Sequence, residues 1–379
     1  MKIGFDAKRI VQNFTGLGNY SRYVVNALSH SSVDDEWVMY APKKSSHKVF
    51  CNFYSSNPSL KWFFPSGFWS WMKSVWRVWG ITSQLEKDGI ELYHGLSNEL
   101  PLNINRLKKV KKVVTIHDLI FLRFPQYYKW LDRKIYAYKF RRACELADVV
   151  VAISECTKRD IISYFHIPED KIEVVYQGCD KSFLKSVSSS EKERVRKKYG
   201  LPANYILNVG SIEDRKNVLL VVQAMKDLPE EWKLVIVGKY TPYLDKVLEY
   251  VNLHHLENRV MILNSVPFVD LPAIYQMAGI FVYPSRFEGF GIPIVEALNS
   301  GVPVVAAKGS CLEEAGGPHS LYVHPDDVQG MTMTLNRLIG DVQLRMSMIE
   351  EGKKYALRFS EEEQARQLLD IYRLSMLRK

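Results

Sequence analysis

The stretch Ser285-Arg286-Phe287-Glu288-Gly289-Phe290-Gly291-Ile292-Pro293-Ile294-Val295-Glu296 carries two carboxylates, with seven residues between them, around a glycine-rich turn. An apolar run before it, Ile280 to Tyr283, reads as a buried strand, and Pro293 after it opens a short helix that Gly301 closes. A helix start presents unpaired N–H groups and a partial positive charge, which suit a phosphate or diphosphate. Carboxylates repel phosphate but accept hydroxyl protons. Glu288 in the loop and Glu296 about one turn into the helix therefore suit a ligand that is anionic in the middle and rich in hydroxyls at both ends. A nucleotide-sugar has that pattern.

Working outward, short apolar runs alternate with helical spacing along the chain: Ile3 to Phe5, then Tyr20 to Leu28, Val113 to Ile116, Val149 to Ile153 and Ile172 to Tyr176. The second half repeats the pattern at Tyr205 to Gly210, Lys233 to Gly238, Val260 to Leu263, Ile280 to Tyr283 and Val302 to Ala306. Such alternation predicts an α/β fold with parallel sheets covered by helices. A length of 379 residues exceeds the usual single core. Lys181 to Gly200 is rich in Ser, Lys and Glu and marks the boundary. The expected domains are 1–180, 181–358 and a C-terminal helix over 359–379, the two larger ones doubly wound and facing each other across a cleft where ligands sit at the strands' carboxyl ends.

A net charge of +9 favours anionic partners, whether nucleotides, nucleic acid or an acidic membrane surface. Five cysteines without a CxxC pair argue against a disulfide framework or a zinc site and fit a reducing, cytoplasmic setting. The chain opens on an apparent strand rather than a signal peptide, and no run approaches a membrane span.

Other motifs each carry a functional and a structural reading. Thr15-Gly16-Leu17-Gly18-Asn19-Tyr20 is half of a dinucleotide fingerprint, with Ser21 where a third glycine would stand. Gly16 and Gly18 either let backbone approach a phosphate or sugar or simply make a turn. His117, in Thr115-Ile116-His117-Asp118, ends an apolar strand and so lies at the cleft mouth or serves as a satisfied structural residue. Val209-Gly210-Ser211-Ile212-Glu213-Asp214-Arg215-Lys216-Asn217 ends another strand: Gly210 permits close approach, and Arg215 with Lys216 either stabilises a diphosphate leaving group or forms a solvated basic face. Between Trp62 and Trp79, Trp69, Met72, Trp76 and Trp79 sit at helical spacing and read as core, with a membrane-surface helix as the alternative.

Together, the Gly16/Gly18 loop, Arg215-Lys216-Asn217, Glu288-Gly289-Phe290-Gly291 with Glu296, and Gly301-Val302-Pro303-Val304-Val305 resemble retaining glycosyltransferases of the GT-B fold, family four, also called group 1, from residue 1 to about 370. The resemblance implies that Glu288 holds donor-sugar hydroxyls and that the backbone N–H groups of Phe290 and Gly291, in the Gly289 to Ile292 turn, lie by the sugar and diphosphate. Glu296 would hold the ribose, Arg215 and Lys216 would neutralise the departing diphosphate, and Gly16, Gly18 and Gly210 would approach the donor. His117 would sit beside the transferred sugar, and the nucleobase would lie near Asn264 to Pro267, against Val266. The chain departs from commoner members at Gln177-Gly178-Cys179-Asp180, where Asn-Gly-Val-Asp is frequent, and at Cys311-Leu312-Glu313-Glu314, where Pro-Glu often stands.

The expected reaction is transfer of a hexosyl group, with a lean to mannosyl from GDP-mannose, to a saccharide or lipid-linked saccharide hydroxyl in bacterial surface-polysaccharide synthesis. No Asp-x-Asp motif appears, so neither a metal nor another cofactor is expected, and peripheral contact with the inner membrane face fits a basic enzyme. A glycoside hydrolase using the two carboxylates, a nucleotide-sugar epimerase and a non-catalytic basic binding protein are the alternatives.

Overall fold

In the computed structural model, residues 1–377 are described, and they form two compact units: Met1–Gln177 with the chain from Glu361 onward, and Gly178–Ser360. Residues 378 and 379, at the end of the expected last helix, lie outside the described residues.

The first unit holds seven strands: β1 (Lys2–Asp6), β2 (Glu36–Tyr40), β3 (Lys61–Phe63), β4 (Leu92–Gly95), β5 (Lys111–Ile116), β6 (Val149–Ala152) and β7 (Ile172–Val174). They pair in the order β3-β2-β1-β4-β5-β6-β7, all in parallel. The second unit holds β8 (Asn204–Val209), β9 (Trp232–Val237), β10 (Val260–Leu263), β11 (Ile280–Tyr283), β12 (Val304–Ala307) and β13 (Leu321–Val323), in the order β10-β9-β8-β11-β12-β13, again all parallel. Parallel neighbours need crossover connections, and helices on both faces explain why central strands such as Val149–Ala152 and Ile280–Tyr283 are buried along their whole length. In each sheet the order reverses once, between β1 and β4 and between β8 and β11. Ligands of such sheets bind outside the carboxyl ends at that reversal.

Some elements escape the apolar pattern. β4 carries His94, a buried polar residue in mid-sheet, tolerated because its Nδ1 meets the Tyr372 hydroxyl at 2.6 Å and its Nε2 meets Thr115 Oγ1 at 2.8 Å. Tyr372 belongs to the helix Glu361–Leu377, which shares a core with the helix Gly16–Ser31 through Ala365, Leu368 and Leu369. The Ser-, Lys- and Glu-rich stretch marked as a boundary is itself folded. Ser188 caps the helix Ser189–Tyr199, Gly200 ends it in a left-handed conformation, and Arg194, Lys198 and Tyr199 converge on the buried Asp270 carboxylate.

The core reading of the Trp-rich segment needs correction. It breaks into a 3₁₀ turn (Gly67–Ser70), a single helical turn (Lys73–Val75) and a π-helical turn (Trp76–Gly80). Trp76 is buried against Phe63, and Trp69 is half-buried, its ring abutting Gly80. Met72 and Trp79, expected in the same core, are exposed.

Candidate functional site

At the β8/β11 reversal the acidic loop and the basic loop form one structure. β11 ends at Tyr283, and Asn217, in a left-handed conformation after the 3₁₀ turn Asp214–Lys216, donates from Nδ2 to the carbonyls of Pro284 and Pro325. Asn tolerates that conformation better than most side chains. The carbonyl of Arg215 accepts from the Arg286 N–H at 2.8 Å and from the Ser285 hydroxyl at 3.2 Å. Backbone contacts therefore hold two segments that lie far apart in sequence.

Four donors converge on a single oxygen, Glu288 Oε1: Lys216 Nζ at 2.5 Å, Ser285 Oγ at 2.7 Å, Arg215 Nη1 at 2.9 Å and Tyr283 hydroxyl at 3.3 Å. Lys216 also meets the Tyr283 hydroxyl at 2.6 Å, and Arg215 donates to the Phe287 carbonyl at 2.6 Å. Burial pushes the Glu288 carboxyl up, but Lys216 and Arg215 outweigh it and hold its pKa down to about 2. Burial pushes both cations down, and Glu288 more than compensates, so each stays charged well beyond neutrality. Glu213, 42% exposed, lies 3.4 Å from Arg215, so two cations face two carboxylates, of which only Glu288 is buried with them.

Glu296 has the opposite character. It projects from the helix Ile292–Asn299, and its Oε2 accepts from the Tyr275 hydroxyl at 2.9 Å. Burial raises its pKa to about 7; the Tyr275 hydrogen bond lowers it only in part, and Asp180 pushes it further up.

The glycines divide. Gly291 sits at φ 125°, where a Cβ would also lie 3.0 Å from Leu312 Cδ2. Gly18 faces the Asn13 carbonyl oxygen so closely that an added Cβ would lie 1.7 Å away, so packing alone demands glycine there. Gly16, with nothing near its would-be Cβ, has room for a ligand. At Gly210 a Cβ would make only ordinary contacts; the tight position is Gly238, whose would-be Cβ lies 1.8 Å from the Gly210 carbonyl oxygen. The Phe290 ring belongs to the core, edge-on to Phe359 at 5.3 Å, so only its backbone is available to a ligand. The Cys311 sulfur lies 3.0 Å from the carbonyl oxygens of both Glu288 and Phe290, and its one S–H proton, donated to either, holds the loop from beneath. Val266 is half-buried in the loop after β10, next to Ser265 at φ 57°.

In the first unit, His117 follows β5 and is buried. Its Nε2 meets the Leu96 carbonyl at 2.9 Å, and Nδ1 meets Gln177 Nε2 at 3.1 Å. A carbonyl partner fixes the proton on Nε2 and leaves Nδ1 to accept from the Gln177 amide. Burial lowers its pKa to about 4. The imidazole is neutral and fully engaged, which does not suit a proton-transfer role.

Sequence reasoning missed Tyr283, Ser285, Tyr275 and Cys311 as site residues. Tyr283 and Ser285 had a usable signal, since they flank the end of the strand at the sheet's reversal.

Two doubly wound parallel domains, with a cation–carboxylate cluster at the second reversal, define an α/β enzyme of the GT-B class. The family model for glycosyl transferases group 1 matches residues 189–355, and that for glycosyltransferase family 4 matches residues 15–183. The chain belongs to this family and is a glycosyltransferase. It is 29% identical to an O-antigen chain mannosyltransferase B of Escherichia coli over 99% of this chain and 100% of that one. It is 30% identical to a D-inositol 3-phosphate glycosyltransferase of Corynebacterium aurimucosum, covering 76% of this chain and 72% of that one. Among solved structures, Anabaena HepE in complex with UDP and glucose aligns with a TM-score of 0.76 at 18% identity, over 98% of this chain and 99% of that one. Sucrose-phosphate synthase from Thermosynechococcus elongatus aligns with a TM-score of 0.78 at 19% identity, over the full length of both chains. Family membership replaces the hydrolase, epimerase and non-catalytic alternatives.

Proposed function

We propose that this enzyme transfers a mannosyl group from GDP-mannose to a saccharide hydroxyl during bacterial surface-polysaccharide synthesis, with retention at the anomeric carbon. The observation that carries the reading is the Arg215–Lys216–Glu288 cluster at the β8/β11 reversal. The second unit takes the donor and the first the acceptor. Arg215 and Lys216 turn to the diphosphate, and Glu288, ionised at every physiological pH, accepts sugar hydroxyl protons through Oε2. Glu296 takes the ribose, Val266 borders the nucleobase, and the Gly289 to Ile292 turn offers backbone N–H groups. The bond from the anomeric carbon to the diphosphate breaks, and its electron pair leaves with the phosphate, where the two cations stabilise it. The acceptor oxygen bonds the same face, and its proton passes to the leaving phosphate oxygen. Neither carboxylate is a nucleophile, and charge stabilisation comes from Arg215 and Lys216 without a metal. The mannosyl choice is supported by the names of relatives such as the Escherichia coli O-antigen enzyme.

Glu288→Ala and Lys216→Ala should each lower transfer from GDP-mannose by about a hundredfold or more while leaving the far-ultraviolet circular dichroism unchanged. Near-normal turnover in either variant would refute the assigned roles. Thermal stabilisation by UDP-sugars and not by GDP-mannose would refute the donor.

A further inference from the structure

The Trp-rich segment is apolar on two sides. Trp69 and Trp76 turn inward, while Phe68, Trp71, Met72, Val75 and Trp79 lie on the outside at helical spacing, with Trp71 90% and Phe68 69% exposed. An element that is apolar all round meets either a core or a lipid phase, and this one has its outer side in the open. Its charge surroundings are equally one-sided. From Trp37 to Leu85 the chain contains no Asp or Glu, while Lys43, Lys44, Lys48 and Lys73 face solvent. The segment wraps the open edge of the first sheet: Tyr54 and Phe50 pack on Trp62 of β3, and Trp76 packs on its neighbour Phe63.

A second surface of the same kind lies close by. Glu99 receives Arg77 from the π-helical turn at 2.6 Å and Lys139 from the helix Trp130–Leu146 at 3.8 Å, so both elements border one carboxylate. That helix exposes Leu131, Ile135 and Tyr138 along one stripe, beside Trp130 and Lys134.

We infer that this face of the first unit docks on an anionic phospholipid bilayer, with the Trp71 and Phe68 rings at headgroup depth and Lys73 against the lipid phosphates. Indole rings favour that layer, and lysines add attraction to acidic lipids. No described helix is long and apolar enough to cross a membrane, so the contact is peripheral. A bilayer surface is chosen over a protein partner because the stretch from Trp37 to Leu85 joins bare aromatics to exposed lysines with no Asp or Glu among them, and Glu99 beside it is already paired with Arg77 and Lys139.

The test is co-sedimentation of the full chain with vesicles of phosphatidylglycerol and phosphatidylcholine, and with pure phosphatidylcholine vesicles. The wild type should bind the anionic vesicles at least about tenfold more tightly, with loss at high salt and a blue shift of indole emission. The double variant Phe68→Ser, Trp71→Ser should lose about tenfold or more in vesicle affinity, with its unfolding midpoint and GDP-mannose binding unchanged. Lys73→Glu should erase the preference for acidic lipid. Wild-type chain left in the supernatant, equal binding by the double variant, or a wild-type dimer that the double variant converts to monomer would each overturn the proposal. Nucleotide-sugar binding is read separately, so failure here leaves the proposed reaction standing, and the reverse.

Discussion

Affinity for the nucleotide-sugar should depend on pH through Glu296. In the free protein its pKa is raised to about 7, against a usual 4.5, chiefly by burial. In the proposed reading a ribose hydroxyl donates a hydrogen bond to Glu296, which an ionised carboxylate accepts more strongly than a protonated one, so binding should release a proton from molecules in which Glu296 is protonated. By linkage, affinity should be on its plateau above pH 7 and fall about tenfold for each pH unit below it, reaching about a hundredfold weaker near pH 5. The sign is opposite for folding: a raised carboxyl holds its proton better in the native state, so Glu296 adds stability below 4.5 and loses it as pH rises through about 7. Neither His94 nor His117 obscures the window, since burial lowers their pKa values to about 3 and about 4.

The assay is calorimetric titration with intact GDP-mannose, whose diphosphate diester keeps its charge over this range, from about pH 5 to about pH 8. Repeating it in two buffers of different ionisation enthalpy should show close to one proton released at low pH and none at high pH. Glu296→Gln removes the titrating group and should bind with nearly flat affinity, at a level below the wild-type plateau. Two results would refute the reasoning: wild-type affinity independent of pH in this window, or a Glu296→Gln variant with the same slope.

Further outcomes follow from other contacts. Tyr372→Phe leaves His94 Nδ1 unpaired in the core and should cost about 1–3 kcal/mol in urea unfolding, with no change in KM for the donor. Cys311→Ala removes the thiol beneath the Glu288 and Phe290 carbonyls; KM for the donor should rise about fivefold, and Cys311→Ser should restore it. Lys216→Met removes the cation nearest Glu288 Oε1, and the protein should lose most of its stabilisation by GDP in a thermal-shift measurement. Glu288→Gln takes the buried carboxylate from Lys216 and Arg215 and should cost about 3–5 kcal/mol while GDP still stabilises; a free Glu288→Gln protein as stable as wild type would contradict the ion cluster.

How far the fold was legible depended on burial. The inner strands β11 and β12 are apolar and buried along their length because helices cover both faces, and β11, like β10 at the sheet edge, matches its expected bounds. The first unit was harder because its sheet carries polar or very short strands. β4 hides His94 in the interior, where the partners Thr115 and Tyr372 come from distant parts of the chain. β3 has only three residues, and the Trp-rich segment after it shows helical spacing without forming one continuous helix. Spacing alone assigned Trp76, Met72 and Trp79 to one face of one element. The break at the π-helical turn separates them, with Trp76 inside and the other two in solvent.

The site shows where such legibility ends. Two identical residues eight positions apart were recognisable as hydroxyl acceptors, but their chemistry comes from neighbours that the local sequence does not contain. Glu288 meets Lys216 and Arg215 across a long stretch of chain because the carbonyl of Arg215 holds the acidic loop, and their charges keep it ionised. Glu296 meets only a tyrosine hydroxyl in a desolvated place and holds its proton to about pH 7. Paired carboxylates with pKa values driven apart are elsewhere the mark of acid–base catalysis. Here the low one is held ionised by two buried cations, and the high one is raised chiefly by burial. In the proposed reading the split serves recognition: Arg215 and Lys216 face the diphosphate, and hydrogen bonds from ribose hydroxyls favour the ionised form of Glu296, whose proton passes to solvent.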